Sequence, residues 1–375
     1  MKRLTLGINY VELIRPAVLR DRDREARNWR DLRLPRTGRR ENALNQCTQI
    51  FQRRLRNSLA GDSHPRFSLT PSLWQSVGVH LWGFDVDREQ ELAVIRRAYA
   101  KRILAWATPS DPRLEAAFAS VPRECFLDPG PWPIMRYGGY ALTPDADAVY
   151  LYDDVLIGIA PERGLNNGAP SYHAPVLASA RIKEGEHVVH VGAGTGYYTA
   201  IMAHLAGSSG KVTAIEYDPS LAARARDNLA SLGNTTVVQG DGAAVDFEPA
   251  DVIYVNAGAT HPADRWLDGL TEGGRLMLPL TRVKQMEPNV RHGRVFRIER
   301  RGADYLVQSV MGVAIYPCEG CGRDPDAEAA LAAAIEKDIE SRTEGWRLVT
   351  RLYRNAEIPQ ERCWLRAPGW ALAYE

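Results

Sequence analysis

Glycines alternate in one short segment of the chain, Gly192-Ala-Gly-Thr-Gly-Tyr197. The segment follows an apolar run at 187–191, which is typical of a buried strand, and precedes a stretch with helical character. Glycines at a strand-to-helix turn let a ligand press against the backbone, and the helix N-terminus offers free N–H groups. A dinucleotide-binding turn would place its third glycine at position 197. Because the third glycine is Gly196 instead, the spacing favours S-adenosylmethionine, which has no pyrophosphate.

Two acidic residues follow the next two strands of the pattern. Glu216 ends the strand predicted over 211–215, where a carboxylate can accept hydrogen bonds from both hydroxyls of a ribose. Asp241 follows the strand over 235–239 and is placed to bind an adenine amino group. The alternatives are a solvated or helix-initiating carboxylate for Glu216 and a turn residue or cap for Asp241. All three features lie at the C-terminal ends of strands, where open α/β sheets bind ligands, so we predict an S-adenosylmethionine site.

The residues predicted to hold this cofactor lie on the turns and strand ends just described. They are Gly192, Ala193, Gly194, Thr195, Gly196, Tyr197, Glu216, Tyr217, Asp241, Gly242 and Asn256. We predict no metal site. Cys318 and Cys321 have the spacing of a zinc-binding pair, but a structural zinc needs four ligands and the sequence has no second pair. We interpret them as two free thiols in a turn.

The elements that must position these residues alternate along the chain. Short apolar strands, including those at 251–255 and 274–279, are separated by segments with helical character. This alternation predicts βαβ units in a sheet that is buried on both faces. Two longer strands, 295–300 and 305–315, flank Arg301-Gly302 and predict an antiparallel pair at one edge. The fold class is therefore α/β, a doubly wound and mostly parallel sheet with an antiparallel edge pair.

Residues 1–80 are predicted to form a basic extension. Residues 1–60 contain 15 Lys and Arg against 6 Asp and Glu, whereas the other 315 residues contain 32 against 40. The Arg-rich stretch 21–40 has no sustained helical or strand period. A tail for nucleic acid or another acidic partner is one interpretation. We favour a solvated, poorly ordered extension, or a stretch included by an upstream start site.

The remaining residues divide into three predicted regions. Residues 81–181 carry two helices, from about residue 85 and over 113–120, and then loops that hold the acceptor. The stretch from Pro129 to Pro175 holds seven of the 23 prolines and is typical of irregular binding loops. Residues 182–325 form the cofactor-binding core. Residues 326–375 form a C-terminal appendage, a helix followed by a pair of strands.

The overall composition excludes several classes of protein. No stretch of the 375 residues approaches the ~18 consecutive apolar residues of a membrane helix. A net charge of +1 argues against a globally basic nucleic-acid binder, and five cysteines exclude a disulfide-built secreted scaffold. No apolar segment follows Met1-Lys2-Arg3, so we predict no secretory signal. We expect a cytoplasmic protein without nucleic-acid or membrane partners; the oligomeric state stays open.

The run from Ile182 to Leu280 resembles the protein-L-isoaspartate O-methyltransferase family, a family of class I S-adenosylmethionine-dependent methyltransferases. The segment 183–197 is similar to its first motif, and Tyr197 is more typical of this family than of methyltransferases at large. Ile215-Glu-Tyr-Asp-Pro and Leu270-Thr-Glu-Gly-Gly are similar to later motifs. The resemblance covers about residues 110–318. It implies a Rossmann-like methyltransferase fold, S-adenosylmethionine as cofactor, and the repair of proteins or peptides that contain isoaspartyl residues.

The chain departs from this resemblance at the loop for the methyl acceptor. The family carries Gly-Gln-Thr-Ile-Ser-Gln-Pro there, and its hydroxyls lie at the acceptor site. Without gaps this stretch aligns with Gly164-Leu-Asn-Asn-Gly-Ala-Pro170, so Asn166 replaces threonine and Gly168 replaces serine. Either the loop has drifted and the reaction is unchanged, or the acceptor is different. In the first case, restoring threonine and serine should raise or at least preserve activity on isoaspartyl peptide. In the second case, Gly168 would adopt a positive φ that serine resists, and the restored loop would stay inactive on that peptide.

The candidate acceptor-site residues are Asn166, Asn167, Gly168 and His173. No obligatory catalytic residue can be named, because a carboxylate acceptor is ionised at pH 7 and needs no general base. The two asparagines serve equally well as turn residues, and a single histidine is more often structural.

The leading hypothesis is a protein-L-isoaspartate carboxyl O-methyltransferase. The alternatives are a methyltransferase with another carboxyl acceptor and a module that binds S-adenosylmethionine without turnover. An NAD dehydrogenase is disfavoured by Tyr197.

Overall fold

The computed structural model describes residues 87–284, 287–320, 324–355 and 357–375. The basic extension predicted over residues 1–80 lies outside the described residues. Within the described ranges, no helix is both long enough and apolar enough to cross a membrane.

Seven α-helices lie in these ranges. They are α1 (Arg88–Leu104), α2 (Pro112–Ser120), α3 (Pro170–Ala180), α4 (Tyr197–Ala206), α5 (Pro219–Leu229), α6 (Asp264–Asp268) and α7 (Pro325–Ser341). Four of them begin at an aspartate whose side chain accepts a hydrogen bond from a backbone N–H of the first turn. These caps are Asp87, Asp111, Asp218 and Asp324. They stabilise the helix starts because the first N–H groups of a helix have no partner within it.

Fourteen strands accompany the helices in the same ranges. They are β1 (Pro133–Arg136), β2 (Gly139–Leu142), β3 (Gly158–Ala160), β4 (Leu165–Asn166), β5 (His187–Val191), β6 (Lys211–Glu216), β7 (Thr235–Gln239), β8 (Ala250–Val255), β9 (Leu270–Lys284), β10 (Glu287–Arg301), β11 (Asp304–Ile315), β12 (Val349–Arg354), β13 (Cys363–Ala367) and β14 (Trp370–Tyr374). The pairs β1–β2 and β3–β4 form two small antiparallel sheets. The other ten strands form one sheet in the order β13-β14-β12-β11-β10-β9-β8-β5-β6-β7.

The half of this sheet that positions the site is parallel. It consists of β9, β8, β5, β6 and β7 as neighbours. Adjacent residues of β5 belong to different cores, because Val188 packs on the side of α1 to α4 and Val189 on the side of α6 and α7. Both valines are fully buried. The predicted doubly wound sheet is confirmed, and burial on both faces accounts for strands that are apolar without alternation.

The other half of the sheet is antiparallel. β10 and β11 pair as predicted, but β12, β14 and β13 extend the sheet beyond them. The segment predicted as a terminal strand pair contains three strands, since Gly369, with a φ of +75°, allows a tight turn between β13 and β14. The carboxylate of Asp338 in α7 accepts a hydrogen bond from the Trp364 indole at 2.9 Å, which fastens the helix to the extended sheet.

The end of the stretch predicted to be irregular, Pro129 to Pro175, overlaps the start of a helix. α3 begins at Pro170 and contains Pro175. These two prolines made the sequence pattern indicate irregular structure instead of a helix. Pro170 occupies the first helical position, where its missing N–H costs nothing. Pro175 removes one helical hydrogen bond. The helix persists because it is anchored by buried residues, among them Val176 and Leu177.

A buried histidine in β5 makes the stability of the fold depend on pH. The His190 ring is fully buried, and its Nδ1 lies 2.8 Å from the Thr199 hydroxyl oxygen. Burial lowers the pKa of His190 to about 3. In the unfolded chain a histidine titrates at about 6.5, so the unfolded state takes up a proton that the folded state does not. This contribution to stability is complete above pH 6.5 and is lost as the pH falls toward the folded pKa.

We predict that His190→Asn flattens the loss of unfolding free energy between pH 6.5 and pH 5. The asparagine keeps a polar partner near Thr199 but does not titrate, so a slope of up to about 1.4 kcal/mol per pH unit is removed. Denaturant unfolding at several pH values measures it. A slope in the His190 variant equal to that of the unaltered chain would contradict the account.

Candidate functional site

The glycine-rich turn between β5 and α4 contains three residues in the left-handed region. The φ angles are 78° for Gly192, 56° for Gly194 and 96° for Gly196. A Cβ on Gly192 would lie 3.1 Å from the carbonyl oxygen of Asn256, and one on Gly196 would lie 2.9 Å from Cδ1 of Leu229. Glycine is therefore favoured at 192 and 196 by conformation and by close packing alike.

The carboxylate of Glu216 ties this turn to the end of β6. Its Oε2 accepts a hydrogen bond from the Gly194 N–H at 2.7 Å, and its Oε1 accepts one from the Asp218 N–H at 3.0 Å. Burial raises the pKa of Glu216, and the two N–H donors act in the opposite direction. Each carboxylate oxygen has a second lone pair, so Glu216 can also accept hydrogen bonds from the hydroxyls of a ligand.

The turn opens on a cavity of about 500 Å³ that reaches the loop before α3. Nine of the eleven residues predicted to hold the cofactor line this cavity. They are Gly192, Ala193, Gly194, Thr195, Tyr197, Glu216, Tyr217, Gly242 and Asn256. The four candidate acceptor-site residues, Asn166, Asn167, Gly168 and His173, line the same cavity. The fold thus brings the two predicted parts of the site together.

The other two predicted cofactor residues lie beside the cavity rather than on its wall. Gly196 packs toward Leu229 of α5. The side chain of Asp241 accepts a hydrogen bond from the Ala243 N–H at 2.8 Å, which is the turn role considered as the alternative. A Cβ on Gly320 would lie 2.9 Å from Cγ of Asp241, so the chain after β11 packs closely against this turn.

Sequence reasoning missed one wall of the cavity. The end of β11 and the residues after it contribute Met311, Val313, Ile315 and Tyr316. The strand itself was predicted, but the motifs lie in the parallel half of the sheet. No fixed spacing marks which residues of an antiparallel strand will reach a ligand.

A charged side chain and a cysteine also line the cavity. The guanidinium of Arg163 forms ion pairs with Asp218 and Glu319. Cys318 is disulfide-bonded, so the interpretation of a free thiol is wrong there; Cys321 lies outside the described residues. Among the side chains that the structure describes, no group of three or more His, Cys, Asp or Glu is arranged to hold a metal ion.

The asparagines of the acceptor loop hold the backbone of the loop itself. Asn166 Oδ1 accepts a hydrogen bond from the Gly168 N–H at 2.9 Å. Asn167 Oδ1 accepts one from the Ile157 N–H at 3.1 Å, and the Asn167 N–H donates to the Ile157 carbonyl at 2.9 Å. Gly168 has a φ of +79°, and its carbonyl accepts a hydrogen bond from the Tyr198 hydroxyl at 3.2 Å. Hydrogen bonds therefore hold the backbone of the loop at both Asn167 and Gly168.

His173 lies in the first turns of α3, directly behind this loop. Its ring is fully buried and stacks on Tyr198, with 3.4 Å between the ring centroids and 18° between the planes. Nδ1 lies 2.9 Å from the Tyr254 hydroxyl oxygen, whereas Nε2 has no hydrogen-bond partner among the described residues. Burial lowers the pKa of His173 well below its usual value of 6.5, so the ring is neutral at pH 7.

Comparison with known proteins identifies the family of this site. The model of the protein-L-isoaspartate(D-aspartate) O-methyltransferase family matches residues 108–317. The chain belongs to this family. The resemblance inferred from the motifs between residues 110 and 318 is thereby confirmed, and with it the assignment of the chain to a family of carboxyl methyltransferases.

Two relatives at 30% identity or more agree with this assignment. The chain is 30% identical over 227 residues to protein-L-isoaspartate O-methyltransferase of Ignicoccus hospitalis, covering 59% of this chain and 96% of the relative. It is 36% identical over 183 residues to the enzyme of the same name from Methanocella arvoryzae, covering 48% of this chain and 89% of the relative. A solved protein-L-isoaspartate O-methyltransferase structure aligns at a TM-score of 0.48 and 23% identity, covering 68% of this chain and 70% of that chain.

Glycine is favoured for a local reason at residue 168, where the ungapped alignment predicts the family's serine. A Cβ on Gly168 would lie 2.3 Å from Nε2 of His173. The positive φ disfavours any side chain at this position as well. Both the contact with His173 and the positive φ therefore disfavour a serine at residue 168. We expect the loop with threonine and serine restored to lose activity, contrary to the expectation from the sequence.

We predict that Gly168→Ala destabilises the fold by more than Gly273→Ala does. The two glycines have similar φ angles, +79° and +73°, but a Cβ on Gly273 would have no neighbour within 4 Å. Gly273→Ala should therefore cost only the conformational ~1–2 kcal/mol. Gly168→Ala adds the displacement of a packed imidazole, for a further ~1–3 kcal/mol. Chemical denaturation measures both, and equal losses would show that the contact with His173 is not a constraint.

Proposed function

We propose that this chain transfers the methyl group of S-adenosylmethionine to the carboxyl group of L-isoaspartyl residues in proteins or peptides. The observation that carries the proposal is the single cavity that joins the glycine-rich turn and Glu216 to the loop 164–170. One part of its lining has the residues for a nucleoside, and another part corresponds to the acceptor loop of the family. Family membership supports the same reaction.

The residues of the turn fit the cofactor. The Glu216 carboxylate lies at the end of β6 with free lone pairs, and we assign it to the ribose hydroxyls. A Cβ on Gly194 would meet only Ile159, at 3.4 Å, so the backbone there is open to the cavity. Tyr217, Gly242 and Asn256 complete the nucleoside side of the proposal. When bound, S-adenosylmethionine supplies an electrophilic methyl group on a sulfonium.

The chain has two tasks toward the acceptor. An isoaspartyl carboxylate is already ionised at pH 7, so no residue has to remove a proton. The walls of the cavity must instead align the carboxylate oxygen and exclude water. The buried rings of Tyr197, Tyr198 and His173 provide a rigid aromatic surface for this purpose. Protein repair follows from this substrate, and a location in the cytoplasm is a further part of the proposal.

A second candidate is the same chemistry on another carboxyl acceptor. The structure of the loop supports this second candidate. Asn166 and Gly168 occupy the two positions at which the family has hydroxyl residues, and the Asn166 side-chain oxygen already accepts a hydrogen bond from the Gly168 N–H. The loop thus offers neither of the hydroxyl groups that the family presents there.

Methyl transfer to a synthetic isoaspartyl peptide distinguishes the two candidates. The full chain is incubated with S-adenosylmethionine labelled in the methyl group, and base-labile methyl esters are counted. We expect turnover on the isoaspartyl peptide and none on the same peptide with a normal aspartyl residue. Turnover confined to other carboxyl compounds supports the second candidate, and absence of transfer to any acceptor overturns both.

We predict that Glu216→Gln weakens binding of S-adenosylmethionine by ~10- to 100-fold, because hydrogen bonds to a charged acceptor contribute ~1.5–3 kcal/mol. Glu216→Ala should weaken it at least as much, since it also releases the N–H groups of Gly194 and Asp218. Glu162→Gln, an exposed glutamate after β3, is the control. Titration calorimetry measures the affinities. Equal affinities in all three variants would remove Glu216 from the site.

A further inference from the structure

The imidazole of His173 occupies the space that a side chain on residue 168 would need. Its Nε2 lies 2.3 Å, and its Cδ2 2.9 Å, from the position of a Cβ on Gly168. Both atoms belong to a ring that is fixed by stacking on Tyr198 and by the bond between Nδ1 and Tyr254. The ring therefore cannot yield to a side chain at 168 without breaking these contacts.

The hydrogen bond at Nδ1 decides which nitrogen of His173 carries the proton. The Tyr254 hydroxyl is buried, and burial raises its pKa well above 10, so it remains an O–H group. Within the described part of the chain, its hydroxyl has one hydrogen-bond partner, His173 Nδ1. A buried O–H needs an acceptor, and Nδ1 is the acceptor at hand. Tyr254 therefore donates to Nδ1, which leaves an N–H on Nε2.

The donor on Nε2 is buried and unused. No described residue accepts a hydrogen bond from it, although a buried donor without a partner is costly. His173 and Gly168 both line the same cavity as the glycine-rich turn. A carboxylate oxygen of an acceptor is the kind of group that would satisfy this donor.

The cavity offers little positive charge that could bind a carboxylate instead. Of the described residues that line it, Arg163 is the one Arg or Lys, and its guanidinium is engaged with Asp218 and Glu319. A carboxylate at the acceptor end must therefore be held by neutral donors. The Tyr172 hydroxyl, also buried and unpartnered among the described residues, is the competing donor on the same helix.

We propose that His173 is the acceptor-binding residue of this methyltransferase: its Nε2–H replaces the missing hydroxyl at residue 168 and donates a hydrogen bond to the substrate carboxylate. This role requires glycine at residue 168, since any side chain there collides with the His173 ring. For the acceptor oxygen to reach Nε2, the Gly168 peptide must move away from the ring, at the expense of its hydrogen bonds to Asn166 and Tyr198. Glycine adopts the new backbone angles more easily than any other residue. The inference rests on the proposed isoaspartyl substrate.

The first test compares His173→Gln with His173→Met. Both variants lose the partner of Tyr254, but only glutamine keeps an N–H donor near the position of Nε2. We expect His173→Met to raise the KM for isoaspartyl peptide by roughly 10- to 100-fold. His173→Gln should recover most of this loss. The affinity for S-adenosylmethionine, measured separately by calorimetry, should change less than about twofold in both, which also shows that the variants are folded.

Tyr172→Phe removes the competing hydroxyl and keeps the ring. If this variant raises the peptide KM and His173→Met does not, the acceptor donor is Tyr172 and the inference is overturned. Equal KM values in His173→Gln and His173→Met also overturn it, because the effect is then structural. If the unaltered chain does not methylate isoaspartyl peptide, the proposed function fails together with the inference. Turnover by the unaltered chain with normal KM in His173→Met refutes the inference alone.

The second test restores a serine at residue 168, with and without the imidazole of His173. Gly168→Ser alone should abolish or greatly reduce turnover, whereas Gly168→Ser combined with His173→Ala makes room for the serine and should recover part of it. The recovery is expected in the KM for peptide. Full activity of Gly168→Ser with His173 in place would show that the ring does not exclude a side chain at 168 and would overturn the proposal.

Discussion

Two backbone N–H groups that donate to the buried carboxylate of Glu216 hold the site together. One comes from the turn after β5 and the other from the start of α5, so a single side chain joins two consecutive strand-to-helix connections. The carbonyl of Ile215 accepts from the N–H groups of Gly192 and Ala193 and extends the parallel hydrogen bonding past the strand end. The glycine-rich turn is therefore positioned by the sheet and not by its ligand. A pre-organised turn of this kind reduces the entropy that a ligand must otherwise offset.

Both the parallel and the antiparallel half of the sheet contribute residues to the cavity. β11 runs from the extended C-terminal sheet to the cavity, and the residues after it pack against the turn of Asp241 through Gly320. The cofactor side of the cavity is thus enclosed by two structurally different halves of one sheet. The acceptor side depends on α3 and the loop before it, where Gly168, Tyr198 and His173 constrain one another.

The parts of the molecule that could be predicted from the sequence are those with a local cause. The run at 187–191 is apolar because β5 is buried on both faces, and the glycines at 192, 194 and 196 occupy positive φ angles that other residues avoid. Glu216 was found by its place at a strand end. α3 was missed because Pro170 and Pro175 suggest irregular structure, and neither proline prevents a helix there.

Other parts depend on contacts that no linear pattern contains. The wall from Met311 to Tyr316 lines the cavity because of the register between β10 and β11. The exclusion of a side chain at residue 168 arises from the ring of His173, five residues later, and becomes visible only when the helix start and the positive φ are known. The substitution of the family's serine therefore looked like drift or a changed acceptor, and the structure adds the packing reason.

The central claim is that the Glu216 carboxylate receives the ribose of the cofactor while it continues to hold the Gly194 N–H. A crystal structure of the full chain with S-adenosylhomocysteine tests this claim most directly. The account predicts both ribose hydroxyl oxygens at ~2.5–3.0 Å from the carboxylate oxygens of Glu216, with the bond from Gly194 still in place. A nucleoside bound elsewhere in the cavity, or a Glu216 side chain turned away from it, would contradict the account.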